Sequence, residues 1–237
     1  MKRMKFITVA LAALALAACQ KADQTGRLVF SLEEGEVADV ETKGSVSDYA
    51  TLPSAGNFLL TVKSGPAILW SGMLSDWDST KELKAGNYTA EASYGSADEE
   101  GYSKPYFTGS ANFSINGGQS TTVGIPVSLG NTIVKISCTD AFKNYYTDYS
   151  FTITTGAGNV FEYKDGGVFM DAYKFSISGT LTTQNGSTYT RAARSWNVEP
   201  ATCYTVKYDV TNTGSVTVSV SFDDTVQTVE LVEDLNA

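Results

Sequence analysis

The chain has 237 residues, no histidine, three cysteines and 26 acidic against 17 basic residues, for a formal charge of −9. Without histidine there is no Ser-His-Asp triad, no Cys-His dyad and no histidine-rich zinc site. The acidity argues against a nucleic-acid partner, which needs a basic footprint, and the length suffices for one large core or two small ones.

The first element is a secretion leader. Lys2, Arg3 and Lys5 form a positive n-region, and residues 6–18 form an apolar run too short to span a bilayer comfortably. The run ends in Leu16-Ala17-Ala18-Cys19, which resembles a bacterial lipobox. That resemblance implies a signal peptide over 1–18, cleavage before Cys19, and a diacylglycerol on its sulfur with further acylation of the palmitate type. Two or three acyl chains anchor stably, since each buried CH₂ contributes about 0.8 kcal/mol. Residues 19–26 are then a lipidated polar tether, and the expected location is the cell envelope, as an outer-membrane lipoprotein facing either the cell surface or the periplasm. Lys21 and Asp23, close to the anchor, loosely resemble surface-export signals of some Bacteroidetes lipoproteins.

After the tether almost every periodic segment has period two. Tyr88, Ala90, Ala92 and Tyr94 alternate with Thr89, Glu91 and Ser93. Tyr173, Phe175, Ile177 and Leu181 alternate with polar neighbours, as do Val216, Val218, Val220 and Phe222. Such alternation marks strands buried on one face and wet on the other. The pattern predicts strands near 27–33, 57–63, 67–72, 87–94, 106–115 and 121–129, and then near 132–138, 149–155, 159–163, 172–182, 187–195, 203–211, 215–222 and 225–232. Asn116-Gly117-Gly118, Asn185-Gly186 and Asn212-Thr213-Gly214 read as hairpin turns, because Asn and Gly accept positive φ. No helical stripe follows Cys19. The fold class is all-β, a sandwich protein, with a boundary near Gly130 dividing an N-terminal β-sandwich at 27–130 from a C-terminal one at 131–237. Pro126 cannot donate to a ladder, so its strand is expected to be an edge or to carry a bulge.

Candidate chemistry is sparse. Cys138 is in phase with Val134 and Ile136, whereas Cys203 is out of phase with Tyr204, Val206 and Tyr208. One should point inward and the other outward, leaving two unpaired thiols. Asp76 and Asp78, the run Asp98-Glu99-Glu100, and Asp223-Asp224 are carboxylate clusters without glycosidase geometry or calcium-loop spacing. No catalysis, metal or cofactor is expected beyond the covalent lipid on Cys19. Trp70, Trp77 and Trp196, with Tyr145, Tyr146 and Tyr149, are either core residues or platforms that stack on sugar rings. Trp77 and Tyr146 are the candidate glycan contacts.

Three further stretches carry a family resemblance. They are Leu83-Lys84-Ala85-Gly86-Asn87-Tyr88-Thr89-Ala90-Glu91-Ala92-Ser93-Tyr94-Gly95, Lys104-Pro105-Tyr106-Phe107-Thr108-Gly109-Ser110 with Phe113-Ser114-Ile115, and Thr121-Thr122-Val123 with Asn131-Thr132-Ile133-Val134-Lys135-Ile136. Together they resemble a Bacteroidetes lipoprotein family known as domain of unknown function 4493, over roughly residues 28–235. This family is distantly similar to fimbrillin-like surface proteins. The resemblance implies two tandem transthyretin/immunoglobulin-like Greek-key β-sandwich domains and a structural or adhesive role at the envelope. The partners implied are the membrane, other envelope or fimbrial subunits, and glycans. It also implies proteolytic processing after a basic residue, for which Lys43 is the candidate between the first strand and the next. The acidic C-terminal segment 230–237 departs from a fimbrillin donor strand.

Overall fold

The computed structural model describes residues 25–34, 46–210, 216–223 and 231–234, with the backbone alone for 31–34, 216–223 and 231–234. The chain is all-β. The strands are β1 (Thr25–Glu34), β2 (Leu59–Ser64), β3 (Ala67–Met73), β4 (Glu82–Lys84), β5 (Gly86–Tyr94), β6 (Gly101–Tyr102), β7 (Phe107–Ile115), β8 (Ser120–Leu129), β9 (Thr132–Cys138), β10 (Tyr146–Thr155), β11 (Val160–Glu162), β12 (Val168–Met170), β13 (Lys174–Thr183), β14 (Thr188–Asn197), β15 (Cys203–Val210), β16 (Val216–Asp223) and β17 (Leu231–Asp234). One short helix, α1 (Asp140–Tyr145), precedes β10.

The N-terminal strands form one sheet of order β3-β2-β5-β7-β8-β1-β4. It folds over at β7. That strand pairs with β5 along its whole length but with β8 only from Phe107 to Gly109, against Val127 to Leu129. The two arms enclose a core built on Leu28, Leu60, Val62, Ala90 and Ile125, all at 0 % exposure. The C-terminal strands form two sheets, β11-β10-β13-β14 and β17-β16-β15-β9-β12-β6. Phe151 of β10 stacks on Tyr208 of β15, with centroids 4.2 Å apart, and thereby joins the two sheets. The result is a pair of sandwich-like layers, each with its own apolar core.

The long strands expected up to 222 all form, within a few residues of their expected ends; the one expected at 225–232 lies mostly outside the described residues and shares only Leu231 and Val232 with β17. Four elements were not legible. Strands β4 and β6 have three and two residues, too few to show alternation. Strand β12 is buried at all three positions, so it lacks a polar phase. Helix α1 has six residues; Thr139 caps it by accepting from the Phe142 N–H at 3.2 Å, and Phe142 is its buried anchor. The turn at Asn212 lies outside the described residues.

Two expectations are corrected. Cys203 does not point to solvent. It is 4 % exposed, because the outer face of β15 is covered at this end by Ala50, Leu129, Ile133 and Phe169. Cys138 and Cys203 are both buried and are not bridged to each other. Pro126 lies in a strand with neighbours on both sides, not at a sheet border. Its missing donor is tolerated because the β7 ladder stops at Val127, one residue beyond it.

The two cores are tied together by the loop between β5 and β7. Its β6 segment pairs with β12 of the far sheet, Gly101 opposite Phe169 and Tyr102 opposite Val168. Glu100, just before β6, accepts from the Thr155 hydroxyl at 2.5 Å, the Asn159 side-chain amide at 2.8 Å and the Asp171 backbone N–H at 3.1 Å. Tyr102 donates to Glu162 O at 2.9 Å, accepts from the Lys164 N–H at 3.2 Å, and carries Lys164 Nζ over its ring at 4.1 Å. Asn131, in the short link between β8 and β9, donates to Lys104 O at 3.0 Å. At the same junction Lys135 donates to the Tyr49 hydroxyl at 2.7 Å.

Candidate functional site

The residues expected to carry function divide into three groups. Cys19 and Lys43 lie outside the described residues. Trp77 is placed by the turn after β3 and packs against the N-terminal core. Its ring centroid is 5.1 Å from those of both Phe30 and Trp70, and its indole N–H donates to Leu28 O at 3.0 Å. Trp77 is half-buried: its indole N–H and part of its ring are engaged by the core, and the remainder of its surface reaches solvent. Tyr146 opens β10 and is 7 % exposed, packed on Phe142 at 4.8 Å. It is a core residue.

The exposed aromatic surface lies beside Tyr146. Tyr145, the last residue of α1, is 40 % exposed and meets Tyr146 edge-on at 5.0 Å. Tyr189 on β14 is 55 % exposed. It faces Leu181 across the β13–β14 ladder, and Leu181 faces Tyr149 on β10. Two residues along β14, Arg191 stands opposite Gly179, so no side chain competes with it across the ladder. Burial chiefly pushes the Tyr146 phenol up, Tyr145 and Tyr189 add to that, and Arg191 opposes it. Arg191 is half-buried, and among the described residues no carboxylate lies within ion-pair distance of it. Asp148, the next acid along β10, is exposed and adjacent to the core-packed Tyr149, hence directed to the outer face. The hairpin tip is fixed by Gly186 at φ +83°, by Asn185 accepting from the Ser187 N–H at 3.0 Å, and by Gln184 donating to Asn144 O at 2.6 Å beside α1.

Of the carboxylate clusters, those around Asp78 and Glu100 are engaged within the fold, and the side chains of Asp223 and Asp224 lie outside the described residues. Glu100 is engaged by three donors. Asp78 accepts from the Thr80 hydroxyl at 2.6 Å and the Thr80 N–H at 2.9 Å, and these hydrogen bonds hold its carboxyl below the usual range. Among the described residues no group of three His, Cys, Asp or Glu side chains is placed to hold a metal ion. Burial pushes the Cys138 thiol up to about 11, with Lys143 and the Tyr163 hydroxyl opposing, so it is no nucleophile near neutral pH.

Sequence reasoning missed Arg191 and Tyr189 as neighbours of the Tyr145–Tyr146 pair. The available signal was a strand with two arginines and a tyrosine in an acidic chain; the hairpin that carries it beside α1 is a long-range feature.

The chain belongs to the family described as a domain of unknown function, DUF4493, whose profile matches residues 24–236. No curated protein matches it. Among solved structures it is similar to a Bacteroides eggerthii protein provisionally described as a cell adhesion protein. That pair is 11 % identical at a TM-score of 0.47, over 84 % of this chain and 96 % of that one. A Bacteroides uniformis protein with the same provisional description is 10 % identical at a TM-score of 0.45, over 86 % and 98 %. A third, from Bacteroides ovatus, is 10 % identical at 0.44, over 91 % and 99 %. At this level of likeness none of them assigns a function to this chain.

Proposed function

We propose that this protein is a lipid-anchored component of the cell envelope with a structural or adhesive role and no catalysis. The observation that carries the reading is the lipobox at Leu16-Ala17-Ala18-Cys19, followed at once by a polar tether and then by an all-β body. Acylation of Cys19 fixes one end to the outer membrane, and the body then works as a tethered module. We place the domain division at 27–130 and 131–237, with the β6 loop reaching across it. The clasp at Glu100 supports a mechanical role, since force applied to one half passes to the other through hydrogen bonds and strand pairing as well as through the chain itself. Processing after Lys43 is a secondary part of the reading and rests on the family resemblance.

Protease treatment of intact cells, with and without Cys19→Ala, tests it. The wild type should be shaved from the surface and the variant lost from the envelope. A wild type protected in intact cells would move the protein to the periplasm and replace adhesion with an internal scaffold role. N-terminal sequencing of the same material decides the Lys43 cleavage: an acylated Cys19 end as the sole species removes it.

A further inference from the structure

We propose that the patch formed by Tyr145, Tyr189 and Arg191 binds an acidic polysaccharide, one bearing uronate carboxylates. Two observations carry it. The first is placement: Tyr189 and Arg191 share one face of β14, and Gln184 of the same hairpin is bonded to Asn144 O beside the exposed Tyr145, so two exposed phenols and a half-buried guanidinium lie at one end of the C-terminal sandwich. Flat aromatic faces stack on the C–H surfaces of pyranose rings, and the planar fork of arginine matches a carboxylate with two parallel hydrogen bonds. The second is charge. The chain carries −9 overall, so its surface repels anions generally, yet here an arginine sits without a described carboxylate partner. The nearby Asp148 is turned to the other face.

Strand β14 is also a sheet border. A bulge between its pairings to Ile177 and Gly179, with arginines at 191 and 194, is the pattern that prevents edge-to-edge association. Edge protection accounts for the arginine and the bulge. It does not account for Tyr145, which belongs to α1 and adds exposed aromatic area to the same corner. Arg194 differs from Arg191: its guanidinium lies 5.7 Å from the centroid of Trp196, a ring stacked on Phe175 in the core. Among the described residues Arg191 has no such ring contact and, two residues from Tyr189 on the same face of β14, is the cation of this patch.

Binding here concerns what the module holds, whereas the envelope reading concerns where it is anchored, so each can fail alone. The test is calorimetric titration of the full chain in detergent with polygalacturonate, dextran and polyglutamate, repeated with Tyr145→Ala, Tyr189→Ala and Arg191→Gln. The expected result is binding of polygalacturonate alone, weakened about tenfold by each substitution, the scale of one charge-assisted hydrogen bond or one ring contact. Near-UV circular dichroism confirms that each variant is folded; these are surface positions, and a variant that fails this check is replaced by Tyr145→Ser or Arg191→Lys. Absence of polygalacturonate binding overturns the proposal, as does equal binding of dextran or unaltered binding by the variants. Equal binding of polyglutamate overturns it in favour of an acidic protein segment. If Arg191→Gln only raises self-association in sedimentation velocity, leaving polygalacturonate affinity as it was, the arginine guards the edge and the proposal falls.

Discussion

Gly109 packs directly against the backbone of Pro126 where the N-terminal sheet folds over. A Cβ built on Gly109 would overlap the Pro126 carbonyl oxygen, lie 2.8 Å from its carbon and stand 3.0 Å from Val127 Cα. The neighbouring atoms are backbone, which cannot rotate away. This pair turns one continuous ladder into two facing arms. Gly109 is the last residue of β7 in register with β8, and Pro126 is the first residue of β8 released from that pairing. Gly109→Val should therefore cost about 3 kcal/mol of stability through overpacking against rigid atoms. Urea denaturation checks this, with Ser110→Ala as the neighbouring control expected to stay within about 0.5 kcal/mol.

Glu100 makes the second relationship with a measurable consequence. It gathers donors from Thr155, Asn159 and Asp171 and holds β6 against β12. Glu100→Ala removes an ionised acceptor and leaves three donors to find water. The expected loss is about 2 kcal/mol, the usual scale for hydrogen bonds to charged groups. Hydrogen exchange locates it: the amides of Gly101, Tyr102, Val168 and Phe169 should exchange faster in the variant, while those of β5 stay protected.

The sequence makes the long strands legible because each has one dry and one wet face. In β5, Tyr88, Ala90 and Ala92 are buried and the residues between them are not. The same logic misplaced Cys203. Period two locates the faces of a strand, but what covers the second face depends on Ala50 and Leu129, 153 and 74 positions away in the chain. Glu100 fails to stand out for a similar reason, since Asp98-Glu99-Glu100 reads as a solvated acidic run. Only the return of β12 and of the turn after β10 gives its carboxylate three donors. The aromatic signal near Tyr145 and Tyr146 was visible, yet alternation could not say which ring α1 would bury. Tyr146 goes inward with Phe142 and Tyr145 is left out.

Trp77 separates the core role from a binding role. Its contacts to Phe30 and Trp70 and its hydrogen bond to Leu28 O predict that Trp77→Ala destabilises the fold by about 2–3 kcal/mol, less than deletion of a fully buried aromatic because the ring is half-buried. Trp77→Phe should recover most of the packing and lose the hydrogen bond, at a cost of about 1 kcal/mol. Thermal and urea unfolding of the two variants check this. A Trp77→Ala variant as stable as the wild type would release the ring from the core and return it to the surface.

Alkaline pH should destabilise the C-terminal sandwich through three linked groups. Burial pushes the Cys138 thiol from 9.0 up to about 11 and the Tyr163 phenol from 10.0 up to about 12, and it pushes the Tyr208 phenol up as well. In each case the folded state keeps a proton that the unfolded chain has released. Stability from these groups is then complete below pH 9.0 and falls as pH rises through about 11 and about 12. Melting temperatures measured from pH 7 to pH 12 should be level at first and decline above about pH 9. Cys138→Ala should remove the earliest part of that decline and leave the tyrosine part in place. The same burial shields the thiols near neutrality. Cys138 and Cys203 in the folded chain should resist alkylation at pH 8 and react fully in denaturant, which mass spectrometry reads as a shift confined to the unfolded sample.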